Sequence, residues 1–163
     1  MITLNKVLVA TDFSDVAGAA LTYGSELAKR FGARLHVVHI AENAFMLNVG
    51  AAGYVADVTE IQREIDEEAR RQIDSCTAGI EPRPTTAVIS AGSSPAFGIV
   101  DYAKEHDIDL VVIGTHGRGG VTRMILGSVA EKVVRMAPCP VLTVHHPEHE
   151  FVVPDARRVE AVA

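Results

Sequence analysis

A single α/β domain, with a five-stranded parallel sheet and helices on both faces, is the fold class this sequence predicts. Three observations predict it. Five short apolar runs alternate with segments of helical periodicity, the pattern of repeated βαβ units. The runs are apolar almost throughout rather than every second residue, as in strands of a sheet covered on both faces. The chain has 163 residues, the size of one domain with a real core.

Each element has its own signal. Val7-Leu8-Val9-Ala10 is the first strand. From Val16 to Phe31, Ala17, Ala20, Leu21, Leu27, Ala28 and Phe31 recur at helical spacing, and Gly32 follows as a C-cap. Leu35 to Ile40 is the second strand. Residues 41–58 are rich in glycine and alanine and lack clean periodicity, which predicts a long loop or lid. Thr59-Glu60-Ile61-Gln62 has the form of a capping box. Ile61, Ile65, Ala69, Ile73 and Cys76 would then share the buried helix face, and Gly79 would stop it. Thr86 to Ile89 is the third strand. Ser94-Pro95 reads as an N-cap followed by proline in the first turn, with Phe97, Val100 and Ala103 facing inward. Leu110 to Ile113 is the fourth strand, Val129 to Met136 the last helix, ended by Pro138, and Val141 to Val144 the fifth strand.

Composition narrows the function classes. A formal net charge of −6 argues against a nucleic-acid binder, which usually presents a basic face. No apolar run approaches the length of a membrane span. The N-terminus lacks a charged region followed by an apolar segment and a cleavage site. Two cysteines, Cys76 and Cys139, without a C-x-x-C pair, fit reduced thiols. The expectation is a cytoplasmic protein that binds neither membrane nor nucleic acid.

With the doubly wound strand order 3-2-1-4-5, ligands bind beyond the strand C-termini where the order reverses, between strands 1 and 4. Right-handed crossovers favour that order over its alternatives. Asp12 follows strand 1, and a glycine-rich stretch follows strand 4: Gly114-Thr115-His116-Gly117, then Gly127-Ser128. Glycines permit close backbone approach and positive φ. Free N–H groups at a helix start, with the dipole behind them, favour an anion such as phosphate. Ser128 with Glu131 repeats the capping-box pattern at that helix start.

At these residues the chain resembles the universal stress protein family. Gly114, Gly117, Gly127 and Ser128 fit its nucleotide motif, G-x2-G-x9-G-[S/T], and the likeness runs from Lys6-Val7-Leu8-Val9-Ala10-Thr11-Asp12 to Ala137-Pro138-Cys139-Pro140-Val141-Leu142. The resemblance implies a flavodoxin-like (Rossmann-like) three-layer domain over residues 1–146, followed by a tail, 147–163. It implies binding of ATP, or of ADP or AMP. Read from the residues alone, Asp12 and the Ser128 hydroxyl are the candidates to hold a magnesium ion with it. By analogy with the family, Ala10 and Thr11 line the base side and Asp12 accepts from the ribose. Ile40 presents main-chain groups to adenine, and Ile113 and Gly114 lie under sugar and phosphates. N–H groups of His116 and Gly117 and of Gly127, Ser128 and Val129 hold the phosphates. The resemblance also implies a homodimer through Val141–Val144, consistent with the need to cover an exposed edge strand.

Alternatives stay open. Asp12 also reads as a helix N-cap. The His116 ring reads as solvated, and Arg118 or Arg123 as either solvated surface or a phosphate clamp. His36 and His39 read as packed strand histidines; His145, His146 and His149 read as tail residues rather than metal ligands. Residues 43–58, with Phe45, Met46, Leu47, Val49 and Tyr54, are apolar enough for a lid or for an unidentified protein partner. The regulatory, nucleotide-responsive dimer competes with a slow ATPase, or an autophosphorylating enzyme acting on Ser128, Thr115 or Thr122. It also competes with an interaction module indifferent to nucleotide.

Overall fold

The computed structural model describes residues 2–44, 58–90, 94–115 and 126–145. Its elements in chain order are β1 Lys6–Thr11, α1 Asp15–Phe31, β2 Arg34–Ala41, α2 Val58–Thr77, β3 Thr85–Ser90, α3 Pro95–Glu105, β4 Leu110–Gly114, α4 Ser128–Met136 and β5 Val141–Val144. The five strands form one sheet in the order β3-β2-β1-β4-β5, and every neighbouring pair is parallel. Each strand of the expected series is present, extended by at most a residue or two at its ends.

Side chains alternate across a strand, so each central strand feeds two cores. Val7, Val9, Leu35, Val37 and Val112 pack with Ala20, Leu21 and Tyr23 of α1 and Ile73 of α2. Leu8, Ala10, Val38, Val111 and Ile113 pack with α3 and α4 on the other face. Helix α1 comes unusually close to the sheet at Gly24, where a Cβ would stand 2.2 Å from Val9 Cγ2.

The chain ends α1 as expected. Gly32 takes the left-handed conformation at φ 65°, and the Ala33 N–H donates to the Ala28 carbonyl at 2.8 Å, the pattern of a glycine-terminated helix. Helix α3 begins on Ser94 and Pro95 as expected.

Four local expectations are corrected. Helix α2 starts at Val58, so Thr59 lies inside it, and the Gln62 side chain bonds away from the helix start. Cys76 is exposed, as is Ile61 near the helix start at 37%, and Thr77 is buried instead. The buried track advances by four residues from Ala69 to Ile73 to Thr77, and position 76 falls to the other side of it. In α3, Phe97 is 47% exposed while Ala96, Ile99, Val100 and Ala103 are buried. Phe97 lies about 100° around the helix from Ala96, at the rim of the buried face. In α4 the N-cap is Gly127, Ser128 is already helical, and no side-chain cap forms. Glu131 instead pairs with Arg135 at 3.0 Å, an exposed i,i+4 contact.

Phe45, Met46, Leu47, Val49 and Tyr54, the His116–Gly117–Arg118 stretch, Thr122, Arg123, His146, His149 and the 147–163 tail lie outside the described residues. No helix among the described residues is long and apolar enough to cross a membrane.

Candidate nucleotide site

Two strand exits meet where the sheet order reverses. The last register pair of β1 and β4 is Ala10 with Ile113, so Thr11-Asp12 and Gly114-Thr115 leave the sheet side by side. Ala10 and Ile113 are buried under this mouth, at 7% and 6% exposure.

On the β1 side, Thr11 Oγ1 accepts the Phe13 N–H at 3.0 Å. Asp12 Oδ1 accepts both the Ser14 N–H at 3.1 Å and the Ser14 hydroxyl at 2.6 Å. Ser14 Oγ in turn accepts the Ala17 N–H. The cap of α1 is therefore Ser14 and not Asp12, and Asp12 braces the cap from one step behind. Short polar side chains fold back on their own backbone in this way.

On the β4 side, Gly114 fits because α1 approaches it. A Cβ there would lie 2.8 Å from Val16 Cγ1. The expected use of positive φ is not found at the described motif glycines. Among the described residues the positive-φ glycines are Gly32 and Gly79, and Gly127 has φ −68°. Close approach is what the fold requires of Gly114. The Thr115 N–H donates to Val144 O at 2.7 Å, and the Gly127 N–H donates to Thr115 O at 2.6 Å. The two ends of the glycine segment are thus tied together at the sheet edge, and the first turn of α4 starts from that tie. Its leading N–H groups have no acceptor within the helix. Thr115 is buried, and its Oγ1 lies 3.1 Å from His145 Nδ1.

The exit of β2 forms a third wall. The β1–β2 register ends at Thr11 with His39, so Ile40 and Ala41 extend two residues beyond β1, still paired with β3. Ile40 packs against α3, where a Cβ on Gly98 would approach its Cδ1 to 3.0 Å. Of the expected residues, Ala10 and Thr11 end β1 with Asp12 just beyond, Ile113 and Gly114 end β4, Ile40 lies next to the end of β2, and Gly127, Ser128 and Val129 open α4. Ser128 is exposed and Val129 half-buried.

Three groups near this mouth escape sequence reasoning. His39 donates from Nδ1 to the Thr11 carbonyl at 2.8 Å and stacks on Phe13. Gln62 accepts the Ala44 N–H at 2.8 Å and donates to Asp66 Oδ1 at 2.9 Å and Ser90 Oγ at 3.2 Å. It ties α2 to the ends of β2 and β3. His145 joins Thr115 across the β4–β5 edge. The only local signals were a histidine on a strand, a capping-box glutamine and a tail histidine, and none of these specifies a distant partner.

The family model described as universal stress protein family matches residues 3–145. The chain belongs to the universal stress protein family. A universal stress protein of Bacillus subtilis is 34% identical over 145 residues, covering 86% of this chain and 98% of that one. The solved universal stress protein UspA of Lactobacillus plantarum shares the fold at a TM-score of 0.71 and 26% identity, covering 88% of this chain and 99% of the other. A universal stress protein of Archaeoglobus fulgidus was solved in complex with dAMP. It matches at TM-score 0.54 and 27% identity, over 88% of this chain and 99% of that chain.

Among the described residues no group of three or more His, Cys, Asp or Glu side chains is placed to hold a metal ion.

Proposed function

We propose that this universal stress protein binds an adenine nucleotide, with ATP as its main ligand and ADP or AMP as lesser ones, at the β1–β4 mouth. The observation that carries the reading is the tie from Gly127 N–H to Thr115 O at 2.6 Å. It brings the N-terminus of α4 to the exit of β4, the strand that pairs with β1 just before the Asp12 turn. A helix start aimed at a strand-order reversal is suited to phosphate. The carboxylate on the opposite lip suits sugar hydroxyls, and the main chain of Ile40 and Ala41 beyond the end of β1 suits a base edge. The dAMP complex of the Archaeoglobus relative supports the ligand class. Magnesium would reach the protein through Asp12 or the Ser128 hydroxyl and take its other ligands from phosphate and water. It would neutralise phosphate charge there.

In this reading the protein is a cytoplasmic, nucleotide-responsive dimer of the stress response rather than an efficient catalyst. The edge strand β5 offers the pairing surface: Val141 and Leu142 are half-buried and Thr143 is exposed. Strand β5 is also tied to the nucleotide mouth through Val144 O and His145, which gives binding a path to that edge.

Calorimetric titration tests the reading. Magnesium-ATP should bind in the micromolar range, AMP more weakly and NAD not at all. A protein stripped of any co-purified ligand that takes up none of the three would contradict it.

A further inference from the structure

Phe13 is a non-glycine residue in the left-handed region, at φ 64°. A bulky side chain adopts that conformation only where the surroundings hold it. Here the surroundings are specific. The Phe13 N–H is taken by Thr11 Oγ1 at 3.0 Å. Its ring stacks on His39, with centroids 4.3 Å apart and planes 29° from parallel. His39 itself is anchored by the 2.8 Å bond from Nδ1 to the Thr11 carbonyl. Asp12 is the residue between these two held positions. Asp12 Oδ1 accepts from the Ser14 N–H at 3.1 Å and the Ser14 hydroxyl at 2.6 Å, and Phe13 links the two residues, so the direction of the Asp12 carboxylate depends on the Phe13 conformation that sets Ser14 against it.

We propose that His39 and Phe13 form a positioning clamp that fixes the Asp12 carboxylate at the β1–β4 mouth for the sugar of a bound adenine nucleotide. The inference rests on the nucleotide reading above. Nδ1 must carry the proton of this bond, since the Thr11 carbonyl can only accept. The stack holds the Phe13 ring across the turn and resists its return to the ordinary backbone region. Neither residue touches the nucleotide in this account; both act through Asp12.

The test is a double-mutant cycle read by titration with magnesium-ATP. His39→Leu removes donor and stack together and should weaken binding about tenfold. In an Asp12→Asn background the same change should cost less than about twofold, because the group it positions is already altered. His39→Asn places an N–H close to where Nδ1 donates and should recover most of the affinity. Phe13→Gly keeps the left-handed backbone without strain but deletes the ring. It should behave like His39→Leu and serves if that variant does not fold. Equal losses in both backgrounds, or no loss in either, would overturn the clamp while leaving the nucleotide reading intact. Failure of the wild-type protein to bind magnesium-ATP would overturn the nucleotide reading itself and the clamp with it.

Discussion

Gly114→Ala isolates what the first glycine of the motif does. The added Cβ would stand 2.8 Å from Val16 Cγ1 and 3.4 Å from the Val16 carbonyl carbon. The first contact demands movement and the second limits where the helix can go. Val16 is half-buried and β-branched in a helix, so its side chain has few other rotamers to adopt. Overpacking of this kind costs about 1–3 kcal/mol. Replacing glycine in a strand returns roughly 0.5–1 kcal/mol of chain entropy. The expected net loss is about 1 kcal/mol, near the low end of the overpacking range because only one methyl group must shift far. With a urea slope of about 2 kcal/mol/M, the unfolding midpoint should fall by about 0.5 M. Val16→Ala should relieve the clash, so the double variant should be more stable than the sum of the single effects predicts, by about 0.5 kcal/mol or more. Urea unfolding of the four proteins decides it. A Gly114→Ala protein as stable as wild type, or strictly additive single effects, would refute the close-approach argument.

Other expectations follow from separate corners of the molecule. Gly24→Ala would drive a Cβ to 2.2 Å from the fully buried Val9 side chain. Despite a gain of about 1 kcal/mol in helix propensity, it should destabilise by about 1–2 kcal/mol net, and a thermal midpoint at or above wild type would count against it. His36 is buried, with Nδ1 2.9 Å from the Tyr102 hydroxyl and Nε2 lacking a partner among the described residues. Burial first, then the charges of His106, Lys6 and Arg34, push its pKa below the usual histidine value. The folded state then binds fewer protons than the unfolded one. The contribution of neutral His36 is therefore full above about pH 6.5 and lost as pH falls through the folded value. His36→Gln should flatten the fall of urea stability below that pH, and an unchanged slope would contradict the assignment. Gln62→Leu should free the Ala44 N–H and speed its hydrogen exchange, leaving exchange in α1 unchanged; unaltered protection at Ala44 would show that the tie carries no weight.

The sheet was legible because strand signals are local. Short apolar runs such as Val7–Ala10 and Leu110–Ile113, alternating with helical patterns, match strands of a sheet covered on both faces, and glycine at position 32 follows the last helical residue of α1. The proposed site was legible in outline to the same extent: the strand ends at Thr11 and Gly114 and the helix start at Gly127 could be placed once the strand order was set. What escaped was every feature decided by a non-local competitor. Gln62 fits a capping box on paper, yet the backbone of Glu42 and Ala44 outbids the helix start for it. Gly127 and Ser128 both suit an N-cap, and the bond from Gly127 to Thr115 settles the position one residue early. Asp12 suited either a cap or a ligand, and the structure gives the cap to Ser14 while keeping Asp12 at the mouth. The Phe13–His39 stack joins residues from two strand exits, which no spacing pattern encodes.

The central claim is that an adenine nucleotide occupies the β1–β4 mouth. Amide chemical-shift mapping during titration of the labelled protein with magnesium-ATP tests this most directly. The account predicts the largest shifts at Asp12, Ala41, Thr115 and Gly127 through Val129, with the exposed face of α2 unmoved. Saturable binding whose shifts gather on α2 or at the β3 edge, or no shifts at millimolar nucleotide, would contradict it.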